Sequence, residues 1–369
     1  MTVMRRTIGP VPWVCGAAAI VLGALALFTL LDSEESIDIV VGTYGENIHM
    51  YSFDTNTLEF VPKGQAGAMN ASYALAGGNG NIYAVSETGD GSGAYSFSSG
   101  MMTAEKRQTG ADPCFVLLHE GTMMTADYSG GSISVFPITE DGSIGDVSQQ
   151  LTFTGSGPVA DRQGSSHIHQ LRVLPGNGEW ILASDLGADV IRLLHISEGV
   201  LTYVDDIECP AGSGPRHMEF SKDGKMLYCI AELSGDVLVY KIAYNPSEDD
   251  APNFTMVQKI QADEVNAGGS ADIHLHPDGI YLYTSHRLDN DGISIFEIQP
   301  DGTLEKTGYA RTARHPRNFM ITPDGNFLMV ACRDDRVIQV FQISRDGSLT
   351  LTPSVLTFAT DLPSSITLM

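Results

Sequence analysis

Side chains that could bind an anion and move a proton occur in four short segments of this sequence. His169 lies in SSHIHQ, Arg216 in GPRH, Glu232 in AEL and Arg287 in SHR. Arginine has a planar donor fork that suits a carboxylate or a phosphate. A carboxylate or an imidazole whose pKa is tuned by burial and charged neighbours can act as a general base. These residue types therefore predict a site that holds one small anion and activates a water molecule.

The same side chains also have structural interpretations. The arginines could pair with acids such as Glu232 and Asp185 only to hold neighbouring parts of the fold together, and His169 could be a core histidine. His217 follows Arg216 directly and should face away from it, because side chains alternate along a strand. We interpret His217 as structural and leave both interpretations of the arginine cluster open.

Two His-x-His pairs raise the question of a metal site. His167 and His169 share a strand face, and His274 and His276 repeat the spacing. No carboxylate spacing completes a ligand set in either place, so we predict no metal. The chemistry expected of the site requires no organic cofactor.

A repeat of short strands must position these residues. Apolar runs rich in Val, Ile, Tyr and Phe alternate with Gly-containing turns from residue 36 onward. Asn-Gly and Asp-Gly turns suit type I′ hairpins, in which both central residues have positive φ. The recurring turns are Asn79-Gly80, Glu120-Gly121, Asn177-Gly178, Asp223-Gly224, Asp278-Gly279 and Asp324-Gly325.

Aligned on these turns, the sequence forms units of four strands that recur every 40 to 55 residues or so, which is typical of propeller blades. The first strands of the units begin near Ser72, Cys114, His169, Arg216, Ala271, Arg317 and Ser364. We therefore predict an all-β, seven-bladed β-propeller over residues 36–369. The segment PSSITLM supplies the strand that the first unit lacks, and joining the two closes the ring. A β-sandwich is the competing fold, but it does not explain the fixed period.

Residues at one repeat position should form a ring around the propeller axis. The beginnings of the first strands give one ring, and the ends of the second strands give another. The second ring reads Glu87, Asp127, Asp185, Glu232, Arg287 and then Cys332 or Arg333. We predict His169, Glu232, Arg216 and Arg287 as catalytic residues. We predict Arg317, Asp185 and Ser72 as substrate contacts.

The charge of the chain limits its partners. The 369 residues include 21 Lys and Arg against 45 Asp and Glu, a formal net charge of −24. Proteins that bind nucleic acid by neutralising phosphates need a basic surface, so this class is excluded. Screening acts over about 8 Å in physiological salt, so the net charge does not prevent a local arginine cluster from holding a small anion.

The N-terminal segment, residues 1–35, is predicted as a separate region. Residues 11–31 are apolar and uncharged, with Arg5 and Arg6 before them and Asp32 after them. This length suits a membrane anchor. A cleaved signal peptide and a mispredicted start are the alternatives. The first two place the protein at a membrane or in the secretory pathway, and the third in the cytoplasm.

Over residues 38–369 the sequence resembles the seven-bladed propeller lactonases, which include bacterial-type 6-phosphogluconolactonases and 3-carboxy-cis,cis-muconate lactonizing enzymes. The segments that carry the resemblance are VGTY, HIHQLRVLPGNG, GPRH followed by AEL, SHR and HPRNF. The resemblance implies a His, two Arg and a Glu in the central channel, matching His169, Arg216, Arg287 and Glu232. It implies hydrolysis of a sugar lactone, most plausibly 6-phospho-D-glucono-1,5-lactone, without a cofactor.

The sequence leaves two other functions open. The same residues could serve a lactonizing cycloisomerase or a lactonase for an unphosphorylated substrate, with the arginines on a substrate carboxylate. A propeller can also be a binding platform without chemistry, because a fold does not determine function. The oligomeric state is left open.

Overall fold

The computed structural model describes residues 36–369 apart from 79, 99–103, 177 and 246–249. The apolar segment 11–31, with the predictions made for it, lies outside the described residues. Among the residues that are described, no helix is both long and apolar enough to cross a membrane.

The described chain forms strands joined by turns and loops, with one short 3-10 helix at Gly89–Gly91. The strands are β1 (Ser36–Tyr44), β2 (Asn47–Asp54), β3 (Phe60–Gly67), β4 (Ala74–Ala76), β5 (Ile82–Ser86), β6 (Gly93–Phe97), β7 (Ala104–Gln108), β8 (Pro113–His119), β9 (Thr122–Asp127), β10 (Ser132–Pro137), β11 (Gln149–Thr152), β12 (Ile168–Val173), β13 (Trp180–Asp185), β14 (Val190–Ser197), β15 (Val200–Glu208), β16 (Pro215–Phe220), β17 (Met226–Ala231), β18 (Asp236–Ala243), β19 (Asn253–Gln261), β20 (Ser270–Leu275), β21 (Tyr281–His286), β22 (Gly292–Ile298), β23 (Leu304–Arg311), β24 (Pro316–Ile321), β25 (Phe327–Cys332), β26 (Val337–Ile343), β27 (Leu349–Thr357) and β28 (Leu362–Leu368).

These strands form seven four-stranded antiparallel sheets, which are the blades of a propeller. Six blades use four consecutive strands each, from β4–β7 to β24–β27, and the first blade has the order β28-β1-β2-β3. The innermost strands β4, β8, β12, β16, β20, β24 and β28 contact one another in cyclic order. The predicted seven-bladed fold is confirmed, and so is its closure by the C-terminal strand.

The turns differ in part from the predicted type. Asp223 is not among the residues with positive φ, whereas Gly224 has φ +70°, and the Gly224 amide donates to the Ser221 carbonyl over 2.8 Å. This is a type I turn followed by a left-handed glycine, and the Asp223 carboxylate accepts a bond of 3.1 Å from the Lys225 amide. Both residues of Glu120-Gly121 do have positive φ, as a type I′ turn requires.

The core lies between neighbouring blades. Leu182 and Ile191 of the fourth blade pack with Met218, Leu227 and Leu238 of the fifth in one buried cluster. Burying such side chains is the main favourable term in the stability of the fold. This packing fixes the blades against each other, and with them the side chains that point into the centre of the ring.

Buried tyrosines add a repeated polar tie between blades. The hydroxyl groups of Tyr228 and Tyr283 donate to the carbonyls of Gly302 and Gly347, each in the hairpin turn of the following blade, over 3.0 and 2.9 Å. A buried tyrosine needs such a partner for its hydroxyl group. The turn glycines therefore help to hold adjacent blades in register.

Candidate active site

One carboxylate at the centre of the ring is surrounded by three arginines. Glu232 follows β17, and its Oε2 atom lies 2.8 Å from Nε of Arg216 and 3.1 Å from Nη2 of Arg287. Its Oε1 atom accepts a bond of 2.6 Å from Nη2 of Arg162. The three arginines come from β16, from the residue after β21 and from the segment between β11 and β12. The fold therefore gathers charge from distant segments onto one buried acid.

The arginines determine the ionisation of Glu232. Burial alone would raise the pKa of this carboxyl group, but Arg287, Arg216 and Arg162 together lower it to about 2. The carboxylate is consequently ionised at neutral pH and is a weak base. The sequence indicated that burial and charged neighbours would have opposite effects on this pKa. In the structure the arginines outweigh burial.

Arg216 lies deeper than predicted. Its side chain is 2% exposed, and Nη1 donates to the carbonyl oxygen of Ala271. Arg216 is not among the residues that line the pocket described below. It contacts Glu232 and so acts on the site through that carboxylate.

Arg287 has a more accessible position. It lines the pocket, and its Nε donates to the Gly269 carbonyl over 2.8 Å. Burial, opposed by Glu232 but reinforced by the neighbouring arginines, lowers the pKa of Arg287 to about 9. The guanidinium remains charged at neutral pH, with Nη2 held by Glu232 and the Ser270 carbonyl, while Nη1 has one long contact of 3.5 Å, to His315.

A pocket of about 380 Å³ lies against this cluster. It is lined by Tyr44, Glu87, Cys114, Tyr128, Arg162, His169, Glu232, Gly268, Gly269, Arg287, Leu288 and Arg317. Four of the predicted site residues therefore meet in one place, namely His169, Glu232, Arg287 and Arg317. The two predicted rings converge on this pocket because the first strand of each blade begins where the second strand ends.

His169 has a buried imidazole nitrogen without a hydrogen-bond partner among the described residues. The residue is buried, and its Nδ1 atom makes no hydrogen bond to any described residue. The ring packs edge-on against Tyr128 and His217, with centroid distances of 5.6 and 5.1 Å. Burial, followed by the charge of Arg216 and other nearby cations, holds the pKa of His169 well below its ordinary value. The imidazole is therefore neutral at neutral pH, the form that can accept a proton.

Arg317 lines the pocket beside Tyr44 and Glu87. Its guanidinium carbon lies 5.2 Å from the centre of the Tyr44 ring, and the Tyr44 hydroxyl donates to Oε2 of Glu87 over 2.7 Å. Burial would lower the pKa of Arg317, but Tyr44 and Glu87 raise it above its ordinary value. Arg317 thus supplies a third positive charge to the pocket, beside Arg162 and Arg287.

Two predicted substrate contacts lie elsewhere. The Asp185 carboxylate is fully buried, bonds to Ser166, His167, Ala188 and Arg192, and does not line the pocket. Ser72 is also buried outside the pocket lining, and its carbonyl oxygen accepts a bond from the Ser364 hydroxyl. Asp185 is saturated by protein donors, and neither residue lines this pocket, so their contacts with substrate stay predictions that the pocket geometry does not support.

Three polar lining residues escaped the sequence analysis. Tyr44 ends β1, which is the second strand of its blade, so it occupies the same ring as Glu87 and Glu232. Extending the alignment to the first blade would have found it. Tyr128 comes one residue after the aligned Asp127, and Arg162 lies in a connecting segment that has no repeat position.

The remaining histidines of the His-x-His pairs contact protein acceptors. His167 Nδ1 lies 2.9 Å from the Tyr128 carbonyl, and His276 Nε2 lies 2.9 Å from the Gly325 carbonyl. Asp272 accepts bonds from both His217 and His274, over 2.6 and 3.0 Å. Among the described residues, no group of three or more His, Cys, Asp or Glu side chains is arranged to hold a metal ion.

Comparison with known proteins gives a consistent result. The model of a family described as "Lactonase, 7-bladed beta-propeller" matches residues 38–366. The 6-phosphogluconolactonase of Bacillus subtilis is 32% identical over 332 residues, covering 85% of this chain and 93% of its own length.

Solved structures agree with this family match. A candidate 6-phosphogluconolactonase from Bacteroides fragilis superposes with a TM-score of 0.84 at 38% identity, covering 92% of this chain and 99% of its own. The periplasmic gluconolactonase of Pseudomonas aeruginosa superposes with a TM-score of 0.79 at 26% identity, covering 90% and 99%.

Proposed function

The chain belongs to the family of seven-bladed β-propeller lactonases, and from that premise we propose that it hydrolyses 6-phospho-D-glucono-1,5-lactone to the open hydroxy acid. The observation that carries the proposal is the set of arginines on the pocket. Arg162, Arg287 and Arg317 line it against two carboxylates, Glu87 and Glu232, and Arg216 adds a further positive charge behind Glu232. A pocket with this excess of positive charge suits a phosphorylated substrate.

We assign the general base to His169. Its imidazole is neutral and lines the pocket. Glu232 is not available for this role, because Arg216, Arg287 and Arg162 engage both of its carboxylate oxygens. Glu232 instead orients Arg216, Arg287 and Arg162.

The reaction then follows ordinary ester hydrolysis. Water attacks the lactone carbonyl carbon while His169 takes its proton, and the carbonyl oxygen becomes an oxyanion that Arg287 stabilises. The carbonyl re-forms as the bond to the ring oxygen breaks, and the ring oxygen takes the proton back from His169. The product is a hydroxy acid, whose carboxyl group ionises in water.

Substrate binding should raise the pKa of the proposed base, His169. The charges of Arg216, Arg317 and Arg287 contribute to the low pKa of His169 in the empty pocket. A bound phosphate offsets these charges, so it raises the pKa of His169 toward the working pH. The base therefore gains strength when the substrate is in place.

A lactonase for an unphosphorylated sugar is the second candidate. It is favoured by the similarity to the periplasmic gluconolactonase of Pseudomonas aeruginosa, at 26% identity over most of both chains. Glucono-1,5-lactone carries the same ring and ester but lacks the phosphate. Comparing the two lactones as substrates separates the candidates.

The experiment is hydrolysis of freshly generated 6-phosphogluconolactone by the full chain, with spontaneous ring opening subtracted. We expect rapid turnover, and we expect Arg287→Ala to lower kcat by about 10²- to 10³-fold, as removal of one oxyanion donor does. Arg172→Ala is the control, since Arg172 pairs with Glu219 and does not line the pocket. No rate above the spontaneous reaction would refute the proposed substrate.

A further inference from the structure

Arg162 differs from the other arginines of the pocket in its exposure. Its side chain is 39% exposed, against 8% for Arg287 and 2% for Arg216. It lies in the segment between β11 and β12 and forms part of the pocket lining. Among the arginines bound to Glu232, it is the one on the solvent side.

The backbone beneath Arg162 is fixed. The neighbouring Gln163 is fully buried, and its Nε2 atom donates to the Leu186 carbonyl over 2.9 Å and to Asp189 over 2.7 Å. The Arg162 amide itself donates to the Val159 carbonyl over 2.9 Å. A side chain on a fixed segment can act with defined geometry, as a specificity residue must.

The guanidinium group of Arg162 has donors to spare. Within the described structure its hydrogen bonds come from Nη2, which donates to Glu232 and, over 3.3 Å, to the hydroxyl group of Tyr128. The hydrogens on Nε and Nη1 therefore remain for another acceptor. A phosphate oxygen can accept a charge-assisted hydrogen bond from either of these groups.

The two ends of the substrate need different partners. The ester end needs a base and an oxyanion donor, which His169 and Arg287 supply next to Glu232. The phosphate end carries a charge of about −1.5 to −2 at neutral pH and needs a cation near the mouth of the pocket. We propose that Arg162 binds the phosphate of the substrate and thereby selects a phosphorylated lactone over its unphosphorylated counterpart, an inference that rests on the proposed function.

The test compares two lactones and four proteins. The full chain, Arg162→Ala, Arg162→Lys and the control Arg172→Ala are assayed with 6-phosphogluconolactone and with glucono-1,5-lactone. For Arg162→Ala we expect kcat/KM on the phosphorylated lactone to fall by about 10- to 100-fold, chiefly through KM, as for the loss of a charge-assisted hydrogen bond. On glucono-1,5-lactone we expect a clearly smaller loss, because the contact of Arg162 with Glu232 is removed in both assays but a phosphate contact is removed in one only.

The remaining variants sharpen the result. Arg162→Lys keeps the charge but changes the number and direction of the donors, so we expect partial recovery on the phosphorylated substrate only. Arg172→Ala should leave both activities unchanged. Equal losses on both lactones, or no loss on either, would overturn the inference, because Arg162 would then act only through Glu232 or not at all.

A binding measurement keeps the test independent of turnover. If the full chain hydrolyses neither lactone, the proposed function fails, and inorganic phosphate becomes the probe. A phosphate-induced rise in Tm that disappears in Arg162→Ala would still support Arg162 as the phosphate contact. The same rise in both proteins, or no rise in the full chain, would overturn it.

Discussion

At the scale of single residues, the arginine cluster helps to lower the pKa of both His169 and Glu232, but it is Glu232 that the arginines bind directly. A low pKa keeps His169 neutral and able to accept a proton. The arginines also keep Glu232 ionised, but they engage both of its carboxylate oxygens. The contacts of each group, and not its pKa alone, therefore separate the two roles.

The pH dependence of activity distinguishes these roles. The imidazole is the working base only above its folded pKa, so we expect kcat/KM to persist below pH 6 and to fall at lower pH, after allowing for phosphate titration near pH 6. His169→Asn should cost about 10²- to 10⁴-fold in kcat. Glu232→Gln removes a negative charge near His169, which should lower the pKa of the imidazole further. The acid limb of the kcat/KM profile of this variant should therefore move to lower pH, while KM rises.

The measurement is the pH profile of kcat/KM for the two variants and the full chain. Glu232 would be the base if His169→Asn kept its rate while Glu232→Gln lost kcat with an unchanged KM. Circular dichroism of each variant controls for folding.

At the scale of elements, a buried histidine joins the inner and second strands of the sixth blade. Nδ1 of His286 lies 2.8 Å from the hydroxyl oxygen of Ser270, where β20 begins, and Nε2 lies 2.9 Å from that of Thr284 on β21. Burial, with smaller effects of Lys306 and Arg287, lowers the pKa of His286 to about 3. The next residue is Arg287, so this contact also fixes a pocket residue.

Lowering the pH should weaken the stabilising effect of His286. Because the folded pKa lies below the unfolded value of about 6.5, the stability linked to His286 is complete above that value and is lost as pH falls toward 3. Between pH 7.5 and 5 we expect the full chain to lose about 2 kcal/mol more unfolding free energy than His286→Gln. Urea denaturation at the two pH values measures this difference, and parallel losses would contradict it.

The elements could be predicted much better than the connections between them. Strand order and the ring positions of His169, Glu232, Arg287 and Arg317 follow from the repeat, because a fixed period places equivalent residues at equivalent heights. Arg162 has no equivalent in other units. The burial of Arg216 and the saturation of Asp185 depend on packing between blades, which a one-dimensional pattern does not contain.

At the scale of the whole molecule, the first blade depends on both ends of the ring. Val41 of β1 pairs with Ile366 of β28, and Ile366 packs in a core cluster with Ile39 and Met329. The ring has no free inner edge there, so its closure rests on this strand.

Closure can be tested with two substitutions in the same strand. Ile366 is 2% exposed and Leu368 is 42% exposed. We expect Ile366→Ala to lower the unfolding free energy by about 2–5 kcal/mol through the cavity it leaves. We expect Leu368→Ala to change it by less than about 1 kcal/mol. Equal losses of unfolding free energy in chemical denaturation would show that the buried face of β28 does not stabilise the closure of the ring.

The pairing of β28 with β1 has a consequence for synthesis on the ribosome. Ile39 and Leu368 are neighbours in the sheet, yet almost the whole propeller separates them along the chain. The first blade emerges first, but it lacks its inner strand until translation has reached Leu368. During that time β1 presents an unpaired edge, which is the kind of surface that associates with other chains and that chaperones protect. The blade that is made first is therefore the last to be completed.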